Sequence, residues 1–180
     1  MVKAYAALVG IVAAARVAEL VVSARHVPRS RVRAGIEAGA SDYPMMVATH
    51  AGFLAACPLE VWLFRRPFIP ALGVPMLALL VGAVAIRYWS IATLGDRWCT
   101  RVIVVPGDRL VSAGPYRWLR HPNYTAVVVE FVALPLVHTA WMTAVAFSAL
   151  NAFVLRRRIS AENAALARWA RGSTSDAHVM

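Results

Sequence analysis

Residues 114–130 read GPYRWLRHPNYTAVVVE, and the chemistry is concentrated ahead of the apolar run. Arg117, Arg120 and His121 supply hydrogen-bond donors, and Tyr116, Trp118 and Tyr124 supply aromatic faces. Gly114-Pro115 is a turn signal, and Pro122 suits the first turn of a helix. A helix start carries partial positive charge and free N–H groups, so it can hold an anion. Taken singly, each residue also fits a helix start at a membrane surface, with arginines reaching for headgroups and aromatics forming a belt. Taken together they describe a binding site.

A second cluster is RRRISAENAAL, residues 156–166, in which Arg158 and Glu162 are spaced to share one helix face. On spacing alone it also reads as a basic stop signal before a solvated helix. Glu130 lies two helical turns beyond His121-Pro122, inside an apolar run where lipid penalises a carboxylate. Arg16, Glu19, Glu60 and Arg87 carry the same penalty, so each is expected to face a bundle interior and a partner. Arg16 and Glu19 can pair within one helix. His50 and His138 read as satisfied interior or interfacial histidines. No pairing of His, Cys or carboxylates has metal spacing, so no metal is expected.

The elements that position these clusters follow from composition. The chain has 180 residues, 60% of them hydrophobic and 16% charged, with a mean hydropathy of +0.60. Soluble domains sit near 45–50% apolar and about 25% charged, so this chain is displaced toward lipid on both axes. Its net charge of +10 comes almost wholly from arginine, with Lys3 the single lysine. The arginines flank apolar segments and form no single basic face, which argues for a membrane protein and against nucleic acid as partner. Cys57 and Cys99 are too few for a disulfide framework. The N-terminal apolar run carries Arg16 and Glu19 and reads as a span, not as a cleavable signal.

A transmembrane helix needs about 20 mainly apolar residues, which points to 4–23, 44–64 and 69–94. Residues 123–155 as one helix would reach about 50 Å, beyond a 30 Å core. With Pro135, His138 and Thr139 near its middle, that block is expected to fold as a helical hairpin. The fold class is therefore all-α, with about five transmembrane helices. The hairpin would bring Arg158 back to the membrane face of His121. The loop after the first span holds Arg25, Arg29, Arg31 and Arg33. That loop, the connector 95–122 and the basic tail after 155 are expected in the cytoplasm. Arg65 and Arg66 then fall outside, against the trend. GDRWCTRVIVVPGDRLVSA (95–113) combines turn residues with short β-branched runs, as an ordered connector would.

The pattern G-P-Y-x-x-x-R-H-P-x-Y over 114–124, then a hairpin, then R-x-x-x-E over 158–162, resembles the isoprenylcysteine carboxyl methyltransferase family. The resemblance covers about residues 80–170. It implies an integral membrane methyltransferase using S-adenosylmethionine (SAM), with a site facing the cytoplasm of a bacterial inner membrane. It divides the chain into a three-span region (1–94), a catalytic region (95–172) and a frayed tail (173–180). By resemblance, Asp108, Arg109, Leu110, Val111 and Tyr116 would line the cofactor. His121, Pro122, Asn123 and Tyr124 would continue that site, Glu162 would close it, and Arg101 would add a contact. Arg158 would face the substrate, and Tyr124 and Glu130 complete the candidate catalytic set. Two features depart from the family pattern: Asn163 stands where a second glutamate is common, and RWARGSTSD lacks the downstream F-G-x-x-Y. RYWSIATLGDRWCTRVIVVPG and RHPNY with Glu130 resemble a bacterial branch of O-methyltransferases acting on alkylpyrones or alkylresorcinols.

An anionic oxygen is the natural acceptor, because methyl transfer from a sulfonium is mainly a matter of position and a dry site. Carboxylates and acidic enols qualify, whereas a phenol near pKa 10 needs a base, with His121 and Glu130 as candidates. Partners would be a lipophilic small molecule and membrane lipids. Prenylated cysteine is the alternative acceptor. A sterol-reductase-like enzyme using NADPH and a non-catalytic membrane scaffold are the rival classes.

Overall fold

The computed structural model describes residues 1–32, 35–105 and 111–175, with side chains described outside 29–32 and 168–175. The three long apolar stretches fold as α1 (Val2–Val32), α2 (Tyr43–Leu63) and α3 (Pro70–Leu94). α2 and α3 each carry a proline at the start, where its missing N–H has no helical partner to lose. Both run about 31–38 Å, enough for a hydrocarbon core. α1 is longer and corrects one expectation, because Arg25, Arg29 and Arg31 continue the helix instead of forming a loop. Arginine is a good helix former, and extending a helix adds a hydrogen bond per residue without a new nucleus. Arg33 falls outside the described residues.

All three helices are long and apolar enough to cross a membrane. Val17, Trp62, Val74, Val81 and Val145 are each 60% exposed or more. That much apolar surface, on several faces, is a liability in water and ordinary in lipid. This is an integral membrane protein.

Residues 122–175 form the expected hairpin of α4 (Pro122–Leu136) and α5 (Trp141–Ser175). At 15 residues α4 reaches only about 22 Å, short of a full span. The bundle accommodates the shortfall by taking in the tip: Val137, His138 and Ala140 are buried. Thr139 Oγ1 donates to the Pro67 carbonyl at 2.6 Å. Glu60 of α2 accepts from the Met142 and Thr143 backbone N–H groups at 3.3 and 2.6 Å, satisfying orphan donors at the start of α5. Arg66, 2.9 Å away, neutralises that carboxylate. His138 departs from expectation: it is buried, yet neither ring nitrogen has a partner among the described residues. Rings hold it instead, with Tyr5 at 5.2 Å and Phe68 at 5.9 Å.

Two further features tie the helices together. Phe53 of α2 stacks on Phe131 of α4 at 4.1 Å, and the Tyr5 hydroxyl of α1 donates to the Leu134 carbonyl at 3.1 Å. Deeper charges pair as expected: Arg16 reaches Glu19 at 2.6 Å and Glu130 at 2.9 Å, and Arg87 of α3 also binds Glu19. Two cations and two carboxylates thus join α1, α3 and α4 with no net charge.

The chain is not wholly α. β1 (Ile36–Ala38) pairs antiparallel with β2 (Val102–Val104), in the register Ile36↔Val104, Glu37↔Ile103 and Ala38↔Val102. The β-branched run of the connector satisfies its backbone against the segment that follows α1. The proposed frayed tail begins as helix through Ser175, and residues 176–180 lie outside the described set.

Candidate functional site

The site forms where α4 begins and α5 leaves the bundle. Pro122 occupies the first position of α4, and the Thr125 hydroxyl donates back to the His121 carbonyl at 3.2 Å, fixing the helix start. One turn of helix then sets His121 and Tyr124 side by side, stacked at 5.3 Å with planes 23° apart. On α5, Glu162 Oε2 accepts the Tyr124 hydroxyl at 3.0 Å and lies 4.0 Å from His121 Nδ1. The hairpin has joined the two polar clusters of the sequence. Side chains of His121 and Glu162 are 29% and 28% exposed, open enough to meet a ligand and fixed enough to orient it.

Arg158, one turn earlier on α5, is buried, and its Nη2 donates to the Thr100 carbonyl at 2.7 Å. Its Nε has no partner among the described residues. Arg158 lies within electrostatic reach of the Tyr124 hydroxyl, so the cation and the Tyr124–Glu162 pair belong to one site. Its neighbour Arg157 turns away to Asp42 at 2.8 Å, anchoring α5 to the start of α2.

Tyr116 sits in the short turn Gly114–Arg117, half-buried. Burial first, then the charge of Glu162, pushes its phenol up to about 12, so it stays a neutral donor at working pH. The turn is seated on α3: Gly114 has φ +56°, and a Cβ there would strike Thr93 Oγ1 and come within 3.2 Å of Trp89 Nε1. Trp118 lies against Trp89 with ring centres 5.7 Å apart.

Of the remaining expected residues, Pro122 is buried and Asn123 half-buried, its Oδ1 without a partner among the described residues. Val111 is half-buried. Arg101 binds Glu37 at 2.6 Å and lies over the Tyr43 ring at 4.3 Å, which fastens the ribbon to α2. Glu130 is not brought to the Tyr124–Glu162 pair; its carboxylate is held by Arg16. Asp108, Arg109 and Leu110 lie outside the described residues.

Sequence reasoning missed Thr100. Its carbonyl holds Arg158, its N–H donates to Ser23 Oγ at 2.9 Å, and its hydroxyl lies 2.8 Å from Ser23 Oγ and 3.2 Å from the Tyr43 hydroxyl. One residue therefore registers α1, α2 and α5. No residue type signals a role carried largely by the backbone. Cys99 beside it is half-buried, and that burial raises its thiol above the ordinary value, which speaks against a reactive thiolate.

Comparison with known proteins places this site in context. A family model described as the isoprenylcysteine carboxyl methyltransferase (ICMT) family matches residues 76–168, which take in most of α3, the connector, α4, most of α5 and the site. The chain is 37% identical over 160 residues to "Uncharacterized protein YpbQ" of Bacillus subtilis (strain 168), covering 88% of this chain and 94% of that relative. It is 25% identical over 154 residues to an "Uncharacterized protein" of Haemophilus influenzae, covering 85% and 89%. No solved structure matches.

Proposed function

The chain belongs to the isoprenylcysteine carboxyl methyltransferase family, a family of membrane methyltransferases, and from that premise we propose that it is a SAM-dependent O-methyltransferase acting on an acidic oxygen of a lipophilic molecule. A long-chain alkylpyrone or alkylresorcinol is the acceptor class we favour. The observation that carries the reading is the Tyr124–Glu162 hydrogen bond, which unites the R-H-P-N-Y and R-x-x-x-E motifs in one place.

The donor set suits an aminoacyl nucleoside sulfonium. A stacked His121–Tyr124 face matches a flat or cationic group, and the partly exposed Glu162 carboxylate matches hydroxyl or ammonium donors. Tyr116, His121, Pro122, Asn123, Tyr124 and Glu162 would hold the cofactor, with Arg101 and the segment from Asp108 to Val111 completing it on the family resemblance. When bound, that cofactor supplies an electrophilic methyl group. The protein supplies position and dryness. Arg158, buried and fixed by Thr100, offers a planar fork to the acceptor oxygen. Glu130 serves as counter-ion to Arg16. The site would face the cytoplasm, with the acceptor's tail in the lipid.

The test separates the two residues of R-x-x-x-E. Calorimetry with S-adenosylhomocysteine on detergent-purified protein should show binding that Glu162→Gln and His121→Ala weaken by tenfold or more. Arg158→Ala should bind nearly as well as the parent yet lose turnover, and Arg158→Lys should not rescue it, because an ammonium lacks the planar fork. Parent protein that binds NADPH and not S-adenosylhomocysteine would refute the reading.

A further inference from the structure

α3 and α4 run antiparallel. At one end a Cβ on Gly73 would come within 2.7 Å of the Val137 carbonyl, and at the other the turn before α4 sits on Thr93. Between these close contacts the helices part. A groove of about 460 Å³ opens there, with the buried Ala83 and Ala126 at its floor and Leu79, Ile86 and Val129 along it. That volume is within the range of small-molecule sites. The lining is apolar except for Thr125, whose hydroxyl is already spent on the His121 carbonyl at 3.2 Å.

The groove begins at the site. Thirteen residues on from Gly73 is Ile86, and thirteen back from Val137 is Tyr124, so at equal rise Ile86 lies level with Tyr124. His121, Thr125 and Val129 follow at four-residue steps, which puts the groove on the same face of α4 as the histidine of the site. From Ile86 the groove follows α3 as far as Pro75, about 16 Å at 1.5 Å per residue. Gly82 stands along this path, and a Cβ added there would meet nothing within 4 Å. The side chain that Gly82 lacks is part of the open space.

We propose that this groove seats the alkyl chain of the acceptor, and that Gly82 sets how much of the chain it takes. The inference rests on the methyltransferase reading and deepens it. Lipid is as apolar as the groove, so seating the chain adds little affinity. What it adds is register: a chain held along α3 stops the head from turning, and a 1 Å misplacement at the reacting atoms can cost on the order of 10²-fold. A phospholipid fits less well, because it carries two chains and its glycerol has no partner on apolar walls.

Gly82→Phe fills the groove at a position where open space spares the fold and loss of glycine favours the helix. With SAM supplied, kcat on a long-chain alkylpyrone should fall by up to about 10²-fold relative to kcat on the same pyrone bearing a methyl group in place of the chain. Gly82→Leu should fall between Gly82→Phe and the parent, and calorimetry should show parent-like affinity for S-adenosylhomocysteine in both. A second measurement needs no methyl donor. A long-chain alkylpyrone with a diazirine in its chain should, on irradiation in micelles, label α3 or α4 peptides of the parent and not of Gly82→Phe. Unlabelled alkylpyrone should displace that label, and phosphatidylglycerol should not. An unmoved chain-length ratio, or a label that phosphatidylglycerol displaces equally, would overturn the role of the groove. So would a cross-linked dimer of the parent that Gly82→Phe abolishes, since Ala78 and Gly82 also have the small-residue spacing of paired membrane helices. Labelling as expected with methyl transfer to no acceptor would instead refute the methyltransferase reading and leave the groove standing as a chain-binding site.

Discussion

Glu130 offers the sharpest separation of structure from chemistry. Its carboxylate is buried and lies 2.9 Å from Arg16 Nη2, within a neutral group of Arg16, Glu19, Arg87 and Glu130. Glu130→Gln leaves the group with one uncompensated positive charge. Two unit charges about 4 Å apart at an effective dielectric of 20 interact by about 4 kcal/mol, and breaking buried ion pairs typically costs about 3–5 kcal/mol. Glu19 still contacts Arg16 at 2.6 Å, and glutamine still offers a carbonyl, so the lower end, about 3 kcal/mol, is expected. For a chain of this size each kcal/mol moves the melting temperature by about 2–4 °C, giving a fall of roughly 6–12 °C. Thermal unfolding in detergent, followed by tryptophan fluorescence, measures it. The charge argument makes a second demand. Arg16→Met with Glu130→Leu leaves the neutral Glu19–Arg87 pair, so the double variant should lose less than the two single variants combined. A Glu130→Gln protein melting within about 2 °C of the parent while losing turnover would refute this account and return Glu130 to the chemistry.

Two other perturbations probe the scaffold. Gly114→Ala forces a side chain into a left-handed backbone, costing about 1 kcal/mol, and drives it against Thr93; it should shift tryptophan emission by disturbing Trp89–Trp118 and weaken S-adenosylhomocysteine binding, with Thr93→Ala recovering part of the loss. Unchanged affinity would show that the seating of this turn is irrelevant to the site. Glu60→Gln weakens the cap on α5 by about 1–3 kcal/mol and should lower the melting temperature by several degrees without altering turnover per folded molecule, because Glu60 lies at the opposite end of α2 from Tyr43.

The helices were legible because apolar length is a one-dimensional property, and the hairpin because 123–155 is too long for one span and carries Pro135. Convergence of His121 with Glu162 was legible for the same reason: a hairpin leaves little choice about where its two outer ends meet. What the sequence hid is what depends on pairing at long range. Strands of three residues have too few positions to show a period, and Ile36–Ala38 pairs with Val102–Val104 across the two helices α2 and α3 that separate them in the chain. The buried charges were recognisably in need of partners, yet nothing local says that Glu130 goes to Arg16 while Glu60 caps α5. His138 breaks the usual rule for buried polar groups and is invisible to any reading that assumes satisfaction.

The partners of the buried arginines differ in whether they cancel the charge. Arg16 and Arg87 face carboxylates, so their charge is balanced within the protein. Arg158 is equally buried, but its fixed partner is the Thr100 carbonyl, and no carboxylate pairs with it among the described residues. A carbonyl orients a guanidinium without cancelling its charge, and leaves most of its five N–H donors to be claimed. A buried cation kept in that state is costly and needs an anion from elsewhere. The connector that carries Thr100 is itself fastened by Ser23 and Tyr43, so the orientation of Arg158 is set by the first two helices as much as by its own. Loss of the Ser23 and Tyr43 contacts would therefore disturb the Arg158 guanidinium before it disturbed the Tyr124–Glu162 pair.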